Sequence, residues 1–407
     1  CLTTKYRPIT LLQMHSQIKA ITEKITPRLI DIRRHLHAHP ELSGQEYKTA
    51  AYVAGVMSSY GFHVQEMVGK TGVVANLNGA GQVADVLAVR TDMDALPIPE
   101  QVELPFTSKN RGIMHACGHD VHTTVGLGTA MVLAELTEQQ PFTGTTRFLF
   151  QPAEETVQGA KWMIADDVLT DVAAIFGVHV FPTILAGKVG LRRGALTAAA
   201  DDLEIVIIGE SGHGARPHEA IDAIWVASQV MTTLQQSISR RLNPLHPAVV
   251  SIGKISGGKA ANVIADRVVM QGTVRSLQPD VYEKLPIWIE EIVAGVCAMH
   301  GAKYELNYQR RVASVINTDH LVQIVANAAQ SALGESRIEW LAEPSMGSED
   351  FALYTERVPG TMFRLGVGFE GRHNHPLHHP KFEVDEAAIA TGVLTMATSV
   401  YDYWQQA

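Results

Sequence analysis

The stretch His115-Ala116-Cys117-Gly118-His119-Asp120-Val121-His122 holds three imidazoles, one thiol and one carboxylate within eight residues. Neutral imidazole and thiolate are the side chains that best bind zinc-like ions. On an extended loop, residues two apart point to the same side, so Cys117 and His119 can converge on one ion. Gly118 between them lets the backbone turn tightly. A lone histidine would read as an ordinary loop residue; this concentration reads as a metal site. Further along, Arg372-His373-Asn374-His375-Pro376-Leu377-His378-His379-Pro380 is a second metal candidate, and Glu154-Glu155 form an adjacent acidic pair.

The elements that must position these groups are bounded by composition. At 407 residues the chain exceeds most single cores, and a large domain with an insertion, or two domains, is expected. With 46% hydrophobic and 18% charged residues the composition is that of a soluble globular protein. A formal net charge of -9 opposes binding to nucleic acid or to an anionic membrane surface. A small-molecule or peptide substrate is therefore expected. The chain has no apolar run of the roughly 18 residues a spanning helix needs. Three cysteines, Cys1, Cys117 and Cys297, are too few for a disulfide framework. A cytoplasmic location is expected, the alternative being a lipid-anchored or exported protein in which Cys1 is the processed terminus.

Ile18, Ile21, Ile25, Leu29, Ile32 and Leu36 step with helical spacing, which predicts an opening helix interrupted near Pro27 and stopped by Pro40. Ser43-Gly44-Gln45-Glu46 has the form of a capping box for a second helix that ends at Gly61. Three short apolar strands follow. The first, from Val86 to Val89, runs into Asp92 and Asp94; the second, from Thr146 to Phe150, runs into Glu154 and Glu155; the third, from Ala173 to Val178, runs into His179. In a mostly parallel α/β sheet the ligand site lies beyond the carboxyl ends of the strands, which is where all these groups fall. From about residue 199 to 311 the order becomes strand, helix, strand, strand, helix, strand, which is the ferredoxin-like unit. The expected architecture is an α/β catalytic domain, residues 1–198 and 312–407, with a mixed central sheet flanked by helices and an inserted α+β domain, residues 199–311.

Taken in order, these motifs resemble the M20 metallopeptidase superfamily, and within it the amidohydrolase branch that cleaves N-acyl amino acids such as hippurate and indoleacetyl conjugates. The resemblance rests on Arg34-His35-Leu36-His37, Asp92-Met93-Asp94-Ala95-Leu96-Pro97, His115 to His122, Gln151-Pro152-Ala153-Glu154-Glu155, Gly177-Val178-His179, Gly212-His213, Gly347-Ser348-Glu349-Asp350-Phe351 and Leu377-His378-His379-Pro380. It implies a zinc-peptidase-like fold whose inserted domain serves as dimerisation and lid domain, and hence a homodimer. It also implies that Cys117, His119, Glu155, His179 and His378 are metal ligands. By the same resemblance Glu154 is the catalytic carboxylate, Asp94 orients a ligand histidine, and His213 crosses to the partner's site to stabilise an oxyanion. Asn262 and Arg275 match positions that hold the substrate's carboxylate, and Asp92 stays unassigned, since a turn role and a site role fit it equally.

Five ligands exceed the usual three-plus-water catalytic zinc site, so two divalent ions, zinc, manganese, cobalt or nickel, are expected. The expected reaction is hydrolysis of an N-acyl-L-amino acid, with Glu154 as general base and then acid. A metallo-carboxypeptidase or dipeptidase would use the same site, because its substrates also end in a carboxylate beside the scissile amide. A non-catalytic metal-binding relative is the third alternative; it would have little need of Glu154 beside a ligand carboxylate.

Overall fold

The computed structural model describes residues 10–79, 85–139 and 143–406, so that Cys1 lies outside the described residues. The chain divides into two compact units. One extends through Gly194 and includes Ile316–Ala342 and the chain from Leu353 onward; the other comprises Ala195–Val315 and Glu343–Ala352. Backbone bonds explain the last segment, which falls outside the expected 199–311: Ala198 N–H donates to the Gly347 carbonyl and Ser345 N–H to the Leu196 carbonyl, each at 3.0 Å.

The first unit begins with helices α1 (Leu11–Ala38) and α2 (Tyr47–Ser59). Helix α1 buries the predicted apolar stripe and runs unbroken through Pro27, contrary to the expected interruption. Glu23 and Pro27 both lie on the exposed face, so the carbonyl that Pro27 leaves without a donor is on the solvent side of the helix. The capping box predicted for α2 does not form either. Ser43 instead donates to Asp94, and Glu46 accepts from Gly44, Thr71 and Ala153. The first turn is capped from upstream by the Glu41 carboxylate, which accepts from the Lys48 and Thr49 N–H groups at 2.9 Å each.

Strands β1 (His63–Val68), β2 (Gly72–Asn78), β3 (Val86–Asp92), β4 (Thr145–Gln151), β5 (Val172–Leu185), β6 (Val189–Leu191), and, from the later part of the chain, β11 (Ile338–Trp340) and β12 (Gly360–Gly368), form one mixed sheet. Its order is β1-β2-β4-β3-β5-β12-β6-β11. The central run β4-β3-β5-β12 is parallel. Strands β3 and β12 are buried along their whole length, as strands covered on both faces should be. Helix α3 (His119–Gln139), helix α7 (Asp319–Leu333) and the closing helix α8 (Ala387–Gln406) pack with α1 in the main core. The short helix α4 (Gly159–Ala165) follows the β4 turn. Register decides where chemistry collects: Asp92 pairs with Gln151 and Arg90 with Gly177. His179, two residues after Gly177, therefore comes level with Asp92 and with the start of the Glu154 turn.

The second unit contains β7 (Ala199–Ile208), α5 (Ala223–Arg241), β8 (Ala248–Gly257), β9 (Arg267–Ser276), α6 (Pro279–Met299) and β10 (Lys303–Val312). The sheet order β8-β9-β7-β10, antiparallel throughout, is the ferredoxin-like arrangement. Leu203, Ile205 and Ile207 of β7 pack with the apolar stripes of α5 and α6 in a separate core. Among the described residues, no helix is long and apolar enough to cross a membrane.

Candidate metal centre

The loop before α3 delivers Cys117, and the first residue of α3 is His119. Gly118 between them has φ +81°, and a Cβ there would come within 2.5 Å of Val180 Cγ2. Only glycine fits both the backbone angle and the space. Strand β5 contributes His179, the turn after β4 contributes Glu154 and Glu155, and a loop before α8 contributes His378. That loop is tied to the centre by the His378 N–H, which donates to the Ala116 carbonyl at 2.8 Å.

The structure brings all five predicted ligands together with Glu154. Ligand atoms of Cys117, His119 and His179 lie within 4.8 Å of one another, and so do those of Cys117, Glu155 and His378. The two groups share Cys117. His119 Nδ1 donates to Asp94, to its carbonyl at 2.9 Å and to Oδ1 at 3.1 Å. That fixes the ring so that Nε2 faces inward, where Asp92 Oδ2, Glu154 Oε2 and Glu155 Oε1 each stand 3.9 Å away. His179 Nδ1 donates to the Val180 carbonyl at 2.8 Å, which leaves Nε2 facing the Cys117 sulfur at 3.6 Å. His378 Nε2 lies 3.3 Å from Glu155 Oε1.

Asp94 does more than orient one histidine. Its Oδ2 accepts from the Ser43 hydroxyl at 2.6 Å and from the Glu155 N–H at 3.0 Å, so one carboxylate fixes two candidate ligands. Asp92 also acquires partners. Oδ1 accepts from His122 Nδ1 at 2.6 Å and Oδ2 from the buried Arg90 at 2.7 Å. His122 is occupied at both nitrogens, because the Val180 N–H donates to its Nε2 at 2.7 Å. Although His122 belongs to the metal-like motif, it is thus a link between Asp92 and the strand that carries His179. The roles of Arg90, His122 and Ser43 depend on strand register, and no local signal in the sequence announces them.

The charges agree with a site made for cations. Burial works to raise Asp92, but the charges of His119, Arg90 and His122 hold it well below the carboxylate range. Burial, then the His122 and Arg364 charges, push His179 well below its ordinary value, keeping it neutral and able to ligate. Burial and the Glu155 charge push the Cys117 thiol up to about 11. Bonds to Cys117 and Glu155 raise His378 to about 10. Without an ion the donor set therefore holds protons that a bound cation would displace. His119 Nε2 is a buried atom without a hydrogen bond, and the buried Glu155 Oε1 has ion-pair contacts with His378 and His119. Imidazole, thiolate and carboxylate around such an orphaned atom suit a borderline divalent ion.

The other histidines of the second candidate motif do not join this centre. His373 and His375 are in edge contact, His375 and His379 stack with planes 6° apart, and His379 Nδ1 accepts the Lys381 N–H. Parallel stacked rings cannot both aim a lone pair at one ion.

In the second unit, His213 sits on a short strand paired with Val263, and the Gly214 N–H donates to the Asn262 carbonyl at 2.8 Å. His213 and Asn262 are therefore neighbours, both exposed. Arg275 is elsewhere. It pairs with Ala200, whereas Ile208, which leads to His213, pairs with Arg267, eight residues away along β9. At ~3.3 Å per residue that is about 26 Å. Within one chain, Asn262 and Arg275 are therefore too far apart to grip the same carboxylate.

Comparison with known proteins adds to this geometry. The family model for peptidase family M20/M25/M40 matches residues 88–402. A probable hydrolase of Synechocystis sp. is 63% identical over 390 residues, 96% of this chain and 99% of its own length. The N-acyl-L-amino acid amidohydrolase of Geobacillus stearothermophilus is 44% identical over 304 residues, 74% of this chain and 81% of its own. The crystal structure of the Bacillus subtilis YXEP protein, described as a dinuclear metal-binding peptidase, superposes with a TM-score of 0.83 at 36% identity, covering 95% of this chain and 99% of that one.

Proposed function

Because the chain belongs to peptidase family M20/M25/M40, and is thus a hydrolase acting on amide bonds with metal, we propose that its substrates are N-acyl-L-amino acids and that Glu154 is its general base. The observation that carries this is the pair of three-donor groups sharing Cys117, with Glu154 beside them. Cys117, His119 and His179 would hold one divalent ion, and Cys117, Glu155 and His378 a second. The choice among zinc, manganese, cobalt and nickel follows availability. Two such ions supply Lewis-acid polarisation of the scissile carbonyl and lower the pKa of water toward about 7.

Glu154 then takes the proton from the attacking water as the oxygen bonds to the carbonyl carbon, and delivers that proton to the departing amine nitrogen when the C–N bond breaks. Asp94 keeps the His119 ring and the Glu155 backbone in place through both steps. Arg275 presents a fork suited to the substrate carboxylate. The wide separation of Arg275 from His213 and Asn262 supports a homodimer in which the latter two serve the partner's site. Ile224 and Trp225 at the start of α5 and Val249 and Ile255 on the edge strand β8 are exposed apolar residues that fit such an interface. We assign the second unit this dimerisation role, with closure over substrate as its further function.

The test is elemental analysis paired with hippurate hydrolysis, for the wild type and Glu154→Ala. About two ions retained in the variant with hydrolysis lost is the expected result. Loss of the ions as well would move Glu154 into the ligand set. A peptide substrate is favoured by the description of the YXEP protein as a peptidase. Cleavage of a dipeptide, with hippurate untouched by the loaded enzyme, would select that second reading.

A further inference from the structure

The turn that carries Glu154 and Glu155 is held in an unusual conformation. Ala153 has φ +52° and Val157 φ +56°, both in the left-handed region that residues with a Cβ rarely adopt. The turn closes on itself, since the Gln158 and Gly159 N–H groups donate to the Ala153 carbonyl and the Val157 N–H donates to the Glu154 carbonyl. What fixes its entrance is Glu46. This carboxylate is 0% exposed; Oε1 accepts the Ala153 N–H at 2.9 Å and the Gly44 N–H at 2.8 Å, and Oε2 accepts the Thr71 hydroxyl at 2.6 Å. Three residues earlier, Ser43 reaches the exit side of the same turn through Asp94, which accepts the Glu155 N–H. The segment 43–46 thus grips the acidic pair from both ends.

We propose that Glu46 is a positioning residue that sets the orientation of Glu154 by holding Ala153 in its left-handed conformation. Adjacent carboxylates have the same reach, and they can take different roles only if the backbone between them is fixed. Asp94 holds the Glu155 backbone N–H, and the Glu155 carboxylate reaches His378 at 3.3 Å; Glu46 sets the residue before Glu154, and so decides where the base projects. The inference rests on the assignment of Glu154 as base.

Glu46→Ala should lower kcat for N-acyl amino acid hydrolysis by about ten- to a hundredfold, the range for outer partners of a metal site, with KM and the number of bound ions unchanged. Glu46→Gln keeps an oxygen for the Ala153 and Gly44 N–H groups and lets the Thr71 hydroxyl rotate to accept from the new amide, so its kcat should stay within a few-fold of wild type. The double variant Glu46→Ala/Ala153→Gly separates positioning from general stability: glycine adopts φ +52° unaided, so kcat should recover relative to Glu46→Ala, although glycine adds no contact. Wild-type kcat in Glu46→Ala, or no recovery in the double variant, overturns the inference, and if Glu46→Ala fails to fold, Ala153→Gly in the Glu46→Gln background gives no gain under the proposal and a gain against it. Should Glu154→Ala itself remain active, it is the assignment of the base that fails.

Discussion

Replacing Asp94 by Asn changes one atom, and the structure predicts a large effect because three donors converge on that carboxylate. Oδ1 receives the His119 Nδ1–H, while Oδ2 receives the Ser43 hydroxyl and the Glu155 backbone N–H. The amide of Asn must put its NH2 on one side or the other. Turned toward His119, it sets an N–H against Nδ1, which either keeps its proton on the Asp94 carbonyl alone or passes it to Nε2 and loses the lone pair that would face the ion. Turned toward Glu155, it confronts a backbone N–H that cannot rotate away, leaving a buried donor unsatisfied at a cost of about 1–3 kcal/mol. Ser43 can rotate in either case and contributes little. The cheaper arrangement keeps the His119 tautomer but strains Glu155, so affinity for the metal pair should fall by about ten- to a hundredfold, roughly 1.4–2.8 kcal/mol. A competition titration against a chromogenic chelator measures this directly, with Ser43→Ala as a control expected to change affinity by less than about tenfold. Wild-type affinity in Asp94→Asn would refute the assignment of Asp94 as the residue that orients both ligands.

Gly118→Ala places a methyl against Val180 at a positive φ, and a melting experiment on the ion-free protein should show a loss of about 1–3 kcal/mol. The pH dependence of ion binding follows from the protons on Cys117, pushed up to about 11, and His378, raised to about 10. Both keep their protons at neutral pH without an ion, so affinity should rise with pH through the neutral range, by up to about tenfold per unit for each proton displaced. Calorimetry in buffers of different ionisation enthalpy would count those protons, and an affinity that is flat from pH 6 to 9 would contradict the ligand set. For the dimer, mixing His213→Ala with Glu154→Ala should generate one intact site in each mixed dimer. Statistical exchange then restores about a quarter of wild-type activity, and a mixture as inactive as its components would place His213 outside the partner's site.

Much of this centre was legible because its residue types are dense along the chain. Cys117, Glu155 and His378 stand in loops or turns rich in ligand groups and His119 opens α3, where a parallel sheet gathers such groups; His179, expected at a strand end, lies inside β5, which runs on to Leu185. Alternation in β7 and three-to-four spacing in α5 and α6 are likewise local patterns, and those residues pack in the core of the second unit. What failed was the capping assignment, which needed to know which polar group meets which across the fold. Ser43 and Glu46 satisfy the spacing of a capping box, yet both turn inward, because Asp94 and the Ala153 turn present buried groups in need of partners.

The same competition explains Asp92, where a turn role and a site role were equally consistent with the sequence. Buried on β3 between two other strands, it needs counter-charge, and the same strand supplies it two residues earlier in Arg90, on the same face. The remaining oxygen takes His122, whose other nitrogen holds the backbone one residue beyond His179. Asp92 is therefore committed through both oxygens before any ion is considered. The candidate ligands keep an atom free of hydrogen bonds, as His119 Nε2 does, and the saturated groups around them form the frame. A sequence lists both kinds of residue alike; only the register of β3 against β4 and β5 separates them.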